Sequence, residues 1–158
     1  MVTRVLMLIY RKPDLTPEQF RKHYEEIHMP LTKELTGGTF PLSHTRRYIP
    51  RSASAPDSPA STTEYPAIVL GGNSADVEVD CVTELIFRDK EHMQSYFVLP
   101  NAPGAAVKLE EEAENFVAKY QTILIEDCAE TKPEIKPEIK PEPKTWSIKG
   151  AWSRWRRC

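Results

Sequence analysis

The chain has 158 residues and a formal net charge of −2 at pH 7, enough for one ordinary domain plus a tail, with no strong pull on nucleic acid. Its three cysteines, Cys81, Cys128 and Cys158, form no CxxC and no disulfide or zinc pattern. No apolar run reaches the ~20 residues of a membrane span, and neither GxxxxGKS/T nor GxGxxG occurs. A membrane span, a secreted disulfide scaffold and a P-loop or Rossmann enzyme are thereby excluded, and a soluble cytoplasmic protein is the expectation.

Val5 to Tyr10 is short, apolar and followed by a Pro13-Asp14 turn, which predicts a strand. The opening residues are too short and strand-like for a signal peptide. Thr16-Pro17-Glu18-Gln19 predicts a helix start. Thr16 caps, Pro17 takes the first helical position, and Gln19 completes a capping box. Leu15 and Phe20 can form a hydrophobic staple across it. Phe20, Tyr24, Ile27 and Leu31 then mark an apolar stripe at helical spacing, and Pro30 is expected to end or bend the helix. His44 to Ile49 alternates like a second strand. Residues 51–66, rich in Ser, Ala and Pro, predict a mobile loop. Asp80 to Phe87 is a third strand. Residues 89–99 and 107–118 read as helical, broken by Pro100 to Gly104, and Tyr120 to Ile125 is a fourth strand.

That order predicts an α+β chain of the ferredoxin-like, split βαβ type with a four-stranded antiparallel sheet. Helices on one face leave the other bare, so a second copy of the chain is expected to cover it. Residues 129–158 hold eight Lys or Arg and four Glu, against 13 and 19 in residues 1–128. Lys132-Pro133-Glu134-Ile135 repeats at Lys136 to Ile139, and a proline every four residues forbids helix and sheet ladder alike. The expectation is a folded domain over 1–128, then an extended linker and a disordered basic-aromatic tail over 129–158. Trp146, Trp152 and Trp155 with Lys149, Arg154, Arg156 and Arg157 could dock weakly on a partner or an anionic membrane surface.

The first helix carries His23 and His28. Five positions of α-helix are roughly 140° apart, so the two are not expected to share a face, and a two-histidine metal site is not expected. His28 sits at the helix end beside Pro30, where a cleft over the sheet would open. Period-two alternation puts His44, Arg46 and Tyr48 on one face of the second strand and Thr45, Arg47 and Ile49 on the other. A titrating ring, a fixed cation and a phenol together suit an anionic or phenolic ligand. The plainer reading is an edge strand blunted by charge. In the third strand Glu84 lies among apolar neighbours and needs a partner, with Arg46 or His44 as the candidates. Cys81 reads as a small core residue. Glu110 to Glu114 reads as a solvated helix face.

These residues carry a resemblance. Arg11 to Phe20, then His23-Tyr24-Glu25-Glu26-Ile27-His28-Met29-Pro30-Leu31, resemble the opening of the EthD family, as do Asp80, Glu84 to Phe87 and Glu111 to Phe116. Thr39 to Ile49 resembles a narrower branch, the fungal EthD proteins of aromatic polyketide pathways, including decarboxylases of atrochrysone carboxylic acid. The match covers about residues 4–126, and the tail departs from the family's usual ending. The resemblance implies a homodimeric α+β barrel and chemistry without cofactor or metal on a small aromatic polyketide. On that basis His28 or His44 is the expected acid. Glu84 would set a histidine tautomer or hold Arg46, while Arg46, Tyr48 and Tyr24 would bind the substrate. A dehydratase or cyclase on the same scaffold, or a non-enzymatic polyketide-binding protein, are the alternatives.

Overall fold

The structure is a computed structural model that describes residues 2–52, 65–99, 102, 104–126 and 129–132. Most of the expected loop (53–64) and the expected linker and tail from 133 onward lie outside the described residues. The chain divides into two compact units, Met1–Cys128 and Ala129–Cys158. Every helix and strand named here belongs to the first.

Strand β1 (Thr3–Arg11) is central. The sheet order is β2 (Ser43–Tyr48), β3 (Cys81–Phe87), β1, β4 (Val117–Ile125), antiparallel throughout. This is the expected split βαβ topology. Alternation drives the layering. Val5 and Ile9 of β1 and Cys81, Thr83, Leu85 and Phe87 of β3 are buried. Ile9 and Cys81 meet Phe20, Tyr24, Met29 and Phe116 from the helical side, while Val5, Leu85 and Phe87 form a second cluster with Met93 and Tyr96. Burying each phenylalanine contributes about 1.5–3 kcal/mol. Leu6, Leu8, Val82, Glu84 and Ile86 alternate onto the opposite face.

The first helix begins as its sequence requires. Thr16 Oγ1 accepts from Gln19 N–H at 3.1 Å, and Gln19 Oε1 accepts from Thr16 N–H at 2.8 Å. Beyond that start, the expected helix is three segments: α1 (Pro17–His23), a π turn (Tyr24–His28) and α2 (Met29–Thr36). Pro30 does not end it, since α2 runs on to Thr36. Proline has no N–H and its ring crowds the carbonyl four residues back. The backbone widens just before it, with Met29 N–H bonding Tyr24 O, five residues back. The extra residue in that turn shifts the phase of the apolar stripe. Phe20 and Tyr24 stay inward, Ile27 turns out to 51% exposure, and Met29, Thr32 and Thr36 take the core positions instead. Gly37 closes α2 with φ +50°, a left-handed conformation that favours glycine.

The second half carries α3 (Lys90–Val98) and α4 (Ala105–Ala113). The expected helix over 107–118 overshoots, because β4 already begins at Val117. Phe116 prolongs the helical spacing of Ala105, Leu109 and Ala113, yet it reaches the core from the turn before β4. Asp80 precedes β3 rather than opening it. Its buried carboxylate accepts from Arg11 N–H at 2.9 Å and pairs with Arg11 Nε at 3.4 Å and Arg51 Nε at 3.2 Å. That arrangement satisfies a buried anion with two cations. No helix among the described residues is long and apolar enough to cross a membrane.

Candidate active site

Between the sheet and the helices lies a cavity of about 690 Å³. Its walls are Met7 and Ile9 of β1, Tyr96, Phe97 and Leu99 around α3, Leu109 and Ala113 of α4, and Phe116. Tyr24 and His28 lie on the π turn that faces it. The Tyr24 hydroxyl is 3.4 Å from Thr83 Oγ1, and burial pushes its phenol well above the usual range, so it is a neutral donor.

His28 Nδ1 is bonded to Glu112 Oε2. His23 Nε2 is 2.5 Å from Oε1 of the same carboxylate. A carboxylate only accepts, so the proton of each contacting nitrogen faces Glu112. Nδ1–H on His28 leaves its Nε2 as the nitrogen free to titrate. Burial, the largest influence, holds the His28 imidazole below its ordinary pKa, while Glu112 opposes that shift and His23 adds to it. The Tyr24 and Phe116 rings pack on His28 at centroid distances of 5.4 and 5.1 Å.

The two histidines therefore do share a face, contrary to the α-helical expectation. The π turn spans the positions between them, and its wider winding brings residues five apart over one another. The three groups form two hydrogen bonds around one carboxylate. Among the described residues, no group of three or more His, Cys, Asp or Glu is arranged to hold a metal ion.

The other expected site residues lie elsewhere. His44, Arg46 and Tyr48 do point to the helical face, but none lines the cavity. Arg46 donates to both oxygens of Glu25, from Nε at 2.7 Å and Nη2 at 2.9 Å, and the Tyr48 hydroxyl donates to Oε1 at 2.7 Å. Arg46 holds the Glu25 carboxyl below the usual range, while burial and the bond to Glu25 push Tyr48 up. The ring nitrogens of His44 are buried with no protein partner among the described residues. Burial, then the nearby Arg46 cation, depress its imidazole to about 3.

Glu84 corrects the expectation most clearly. It pairs with Arg4 and Arg47, each at 3.1 Å, not with Arg46 or His44. Thr45 lies directly opposite Glu84 in the ladder. Cross-strand partners share a face, so Thr45 and Arg47 stand with Glu84 while Arg46 and His44 stand behind the sheet from it. Glu84 thus sets no histidine tautomer. That role falls to Glu112, whose side chain is only 13% exposed and so does not belong to a solvated face. The signal was present: Glu112 lies three residues after Leu109 and seven after Ala105, on α4's inward stripe.

A model of the EthD domain matches residues 12–119. The chain belongs to the EthD family. Solved structures similar to this EthD chain include an EthD family protein from Bacillus halodurans, with TM-score 0.48 and 18% identity over 81% of this chain and 100% of that one. A protein from Arabidopsis thaliana gives TM-score 0.49 and 12% identity over 82% and 99%. SnoaB, a cofactor-independent oxygenase from Streptomyces nogalater, gives 0.39 and 14% over 84% and 97%. No curated protein matches the chain in sequence.

Proposed function

We propose that this EthD protein is a decarboxylase of an aromatic polyketide carboxylic acid, of the atrochrysone carboxylic acid type, that works as a homodimer and without a cofactor. The observation that carries the reading is a largely apolar, aromatic-walled cavity lined in part by a histidine oriented by a carboxylate. A volume near 690 Å³ suits a fused-ring ligand and falls inside the ~300–1,000 Å³ span of small-molecule sites.

The substrate is a β-keto carboxylate. Loss of carbon dioxide breaks the bond to the carboxyl carbon, and its electron pair moves into an enolate with the charge on the former ketone oxygen. Catalysis must stabilise that oxygen more than the starting carboxylate. The His28 imidazolium donates its Nε2 proton there and returns to the neutral ring, with Nδ1–H still on Glu112. The turnover consumes one proton from solvent. Glu112 stabilises the imidazolium, and the arriving substrate anion favours charging a ring that burial otherwise keeps neutral. Among the described residues that line the cavity Lys119 is the cation and there is no arginine, so no guanidinium pair clamps the carboxylate in its ground state, which would raise the barrier. Tyr24 supplies a neutral phenol donor beside His28 for the ligand's oxygens.

The test is mass spectrometry of the purified protein incubated with an anthracenone-type carboxylic acid, without added metal or cofactor. Loss of carbon dioxide above the spontaneous rate is expected, with His28→Ala lowering kcat by about 10²–10⁴-fold while the fold is retained. A product lighter by one water, or cyclised at constant mass, would make the protein a dehydratase or cyclase. Binding without conversion would make it a carrier.

A further inference from the structure

We propose that His23 is a positioning residue for His28: it holds the second oxygen of Glu112 and competes with His28 for that single negative charge. This rests on reading His28 as the proton donor, and it adds a control on when that donor is charged.

The geometry begins with the π turn. Five residues apart on an ordinary α-helix, the two rings would diverge. Here both reach one side chain on α4, His23 Nε2 at Oε1 and His28 Nδ1 at Oε2. His23 is fixed on its other side as well, stacked on Phe116 at 4.8 Å between centroids with planes 26° apart. Phe116 is fully buried, so the stack anchors the ring against the core. The carboxylate is held from both ends, and its Oε2 is presented to His28 in one orientation.

Electrostatics follow from that sharing. When one imidazole is protonated, the cation lies against Glu112. A second proton would put two cations on one carboxylate, and the pair then titrates as a coupled unit. A charged His23 therefore lowers the proton affinity of His28, the direction in which His23 already acts on it. The titratable groups facing His28 are Glu112 from α4, His23 and Tyr24 from its own helix, and His44 from β2. The Tyr24 phenol is neutral, and His44 is held neutral at physiological pH. Besides burial, the largest influence, Glu112 and His23 are thus the neighbours that bear on the charge of His28. His23 is the more exposed of the two rings, with its side chain 25% exposed against 16% for His28.

The decisive experiment follows the ring protons of His28 by NMR through a pH titration of the substrate-free protein. His23→Gln keeps an N–H donor for Oε1 and removes the competing charge. The His28 midpoint is expected to rise by about 0.5 pH unit or more. The pH at which kcat/KM declines should rise with it. His23→Phe keeps the stack on Phe116 but frees the carboxylate, and should lower kcat by about tenfold or more, a loss that His23→Gln partly restores. An unchanged His28 midpoint in His23→Gln overturns the proposal, as does a kcat in His23→Phe equal to wild type. A shifted midpoint in a protein that converts no keto acid leaves the coupling standing and removes the decarboxylase reading instead.

Discussion

Two glutamates show what decides the role of a side chain. Glu84 sits among the apolar residues of β3, Glu112 in the acidic run from Glu110 to Glu114. Glu84 falls on the outward beat of β3 and is neutralised by Arg4 and Arg47, whereas Glu112 falls on the inward stripe of α4 and orients two histidines. His44 is a different case, its ring nitrogens buried with no protein partner among the described residues. Its folded-state pKa, near 3, lies well below the ordinary value of about 6.5. The folded protein refuses a proton that the unfolded chain accepts. The neutral ring is therefore compatible with full stability above pH 6.5, and stability is lost as pH falls through that value toward 3. Between pH 7 and pH 4 this group alone should cost about 2–3 kcal/mol. His44→Phe, packing beside Phe40, should remove that loss. Denaturant unfolding of both proteins at the two pH values checks it, and parallel acid sensitivity would show that His44 is not the source.

At the scale of elements, the first helix teaches the most. Its capping box was legible because a cap depends on four adjacent residues and nothing else. Its phase was not legible. The spacing of Phe20, Tyr24, Ile27 and Leu31 fits an unbroken α-helix, whereas the π-turn alternative buries Met29, Thr32 and Thr36 against the core. Pro30 tips the balance by removing the N–H that an α turn would use. Pro30→Ala should let the turn tighten, separate His23 from His28 and lower kcat by roughly tenfold or more through misplacement of the catalytic ring. The midpoint of thermal unfolding should stay within a few degrees of wild type. A variant with full activity and unchanged His28 titration would show that the sheet alone holds the π turn. Strand β2 was legible at the level of faces, since His44, Arg46 and Tyr48 do point together. Its partner was not, because Glu25 lies on another element and only the fold brings it near.

For the whole molecule, the α+β ferredoxin-like architecture leaves Leu6, Leu8, Val82 and Ile86 on the face away from the helical core, with Ile123 of β4 beside them at 42% exposure. These apolar side chains flank the Arg4–Glu84–Arg47 cluster, a mixed face that suits the proposed association. In the homodimer proposed for this protein, two such faces pack together, and the Arg4–Glu84–Arg47 cluster supplies charges of both signs for a symmetric contact. Sedimentation velocity should give twice the chain mass. Leu6→Arg with Ile123→Arg should give the single-chain mass, because burying unpaired charges opposes association. A wild-type monomer at micromolar concentration would refute the dimer.

Taken by itself, the sequence determined the order of strands and helices, the helix start at Thr16, the faces of β2 and β3 and the family. Each of these depends on residues close together in the chain, through caps, periodicity or a local motif. The tertiary structure decided which groups meet: Glu112 with His23 and His28, Glu25 with Arg46 and Tyr48, Glu84 with Arg4 and Arg47. Such pairs join elements 21 to 89 residues apart. Their choice depends on helix phase and strand register, where one added residue in a turn redirects every side chain that follows.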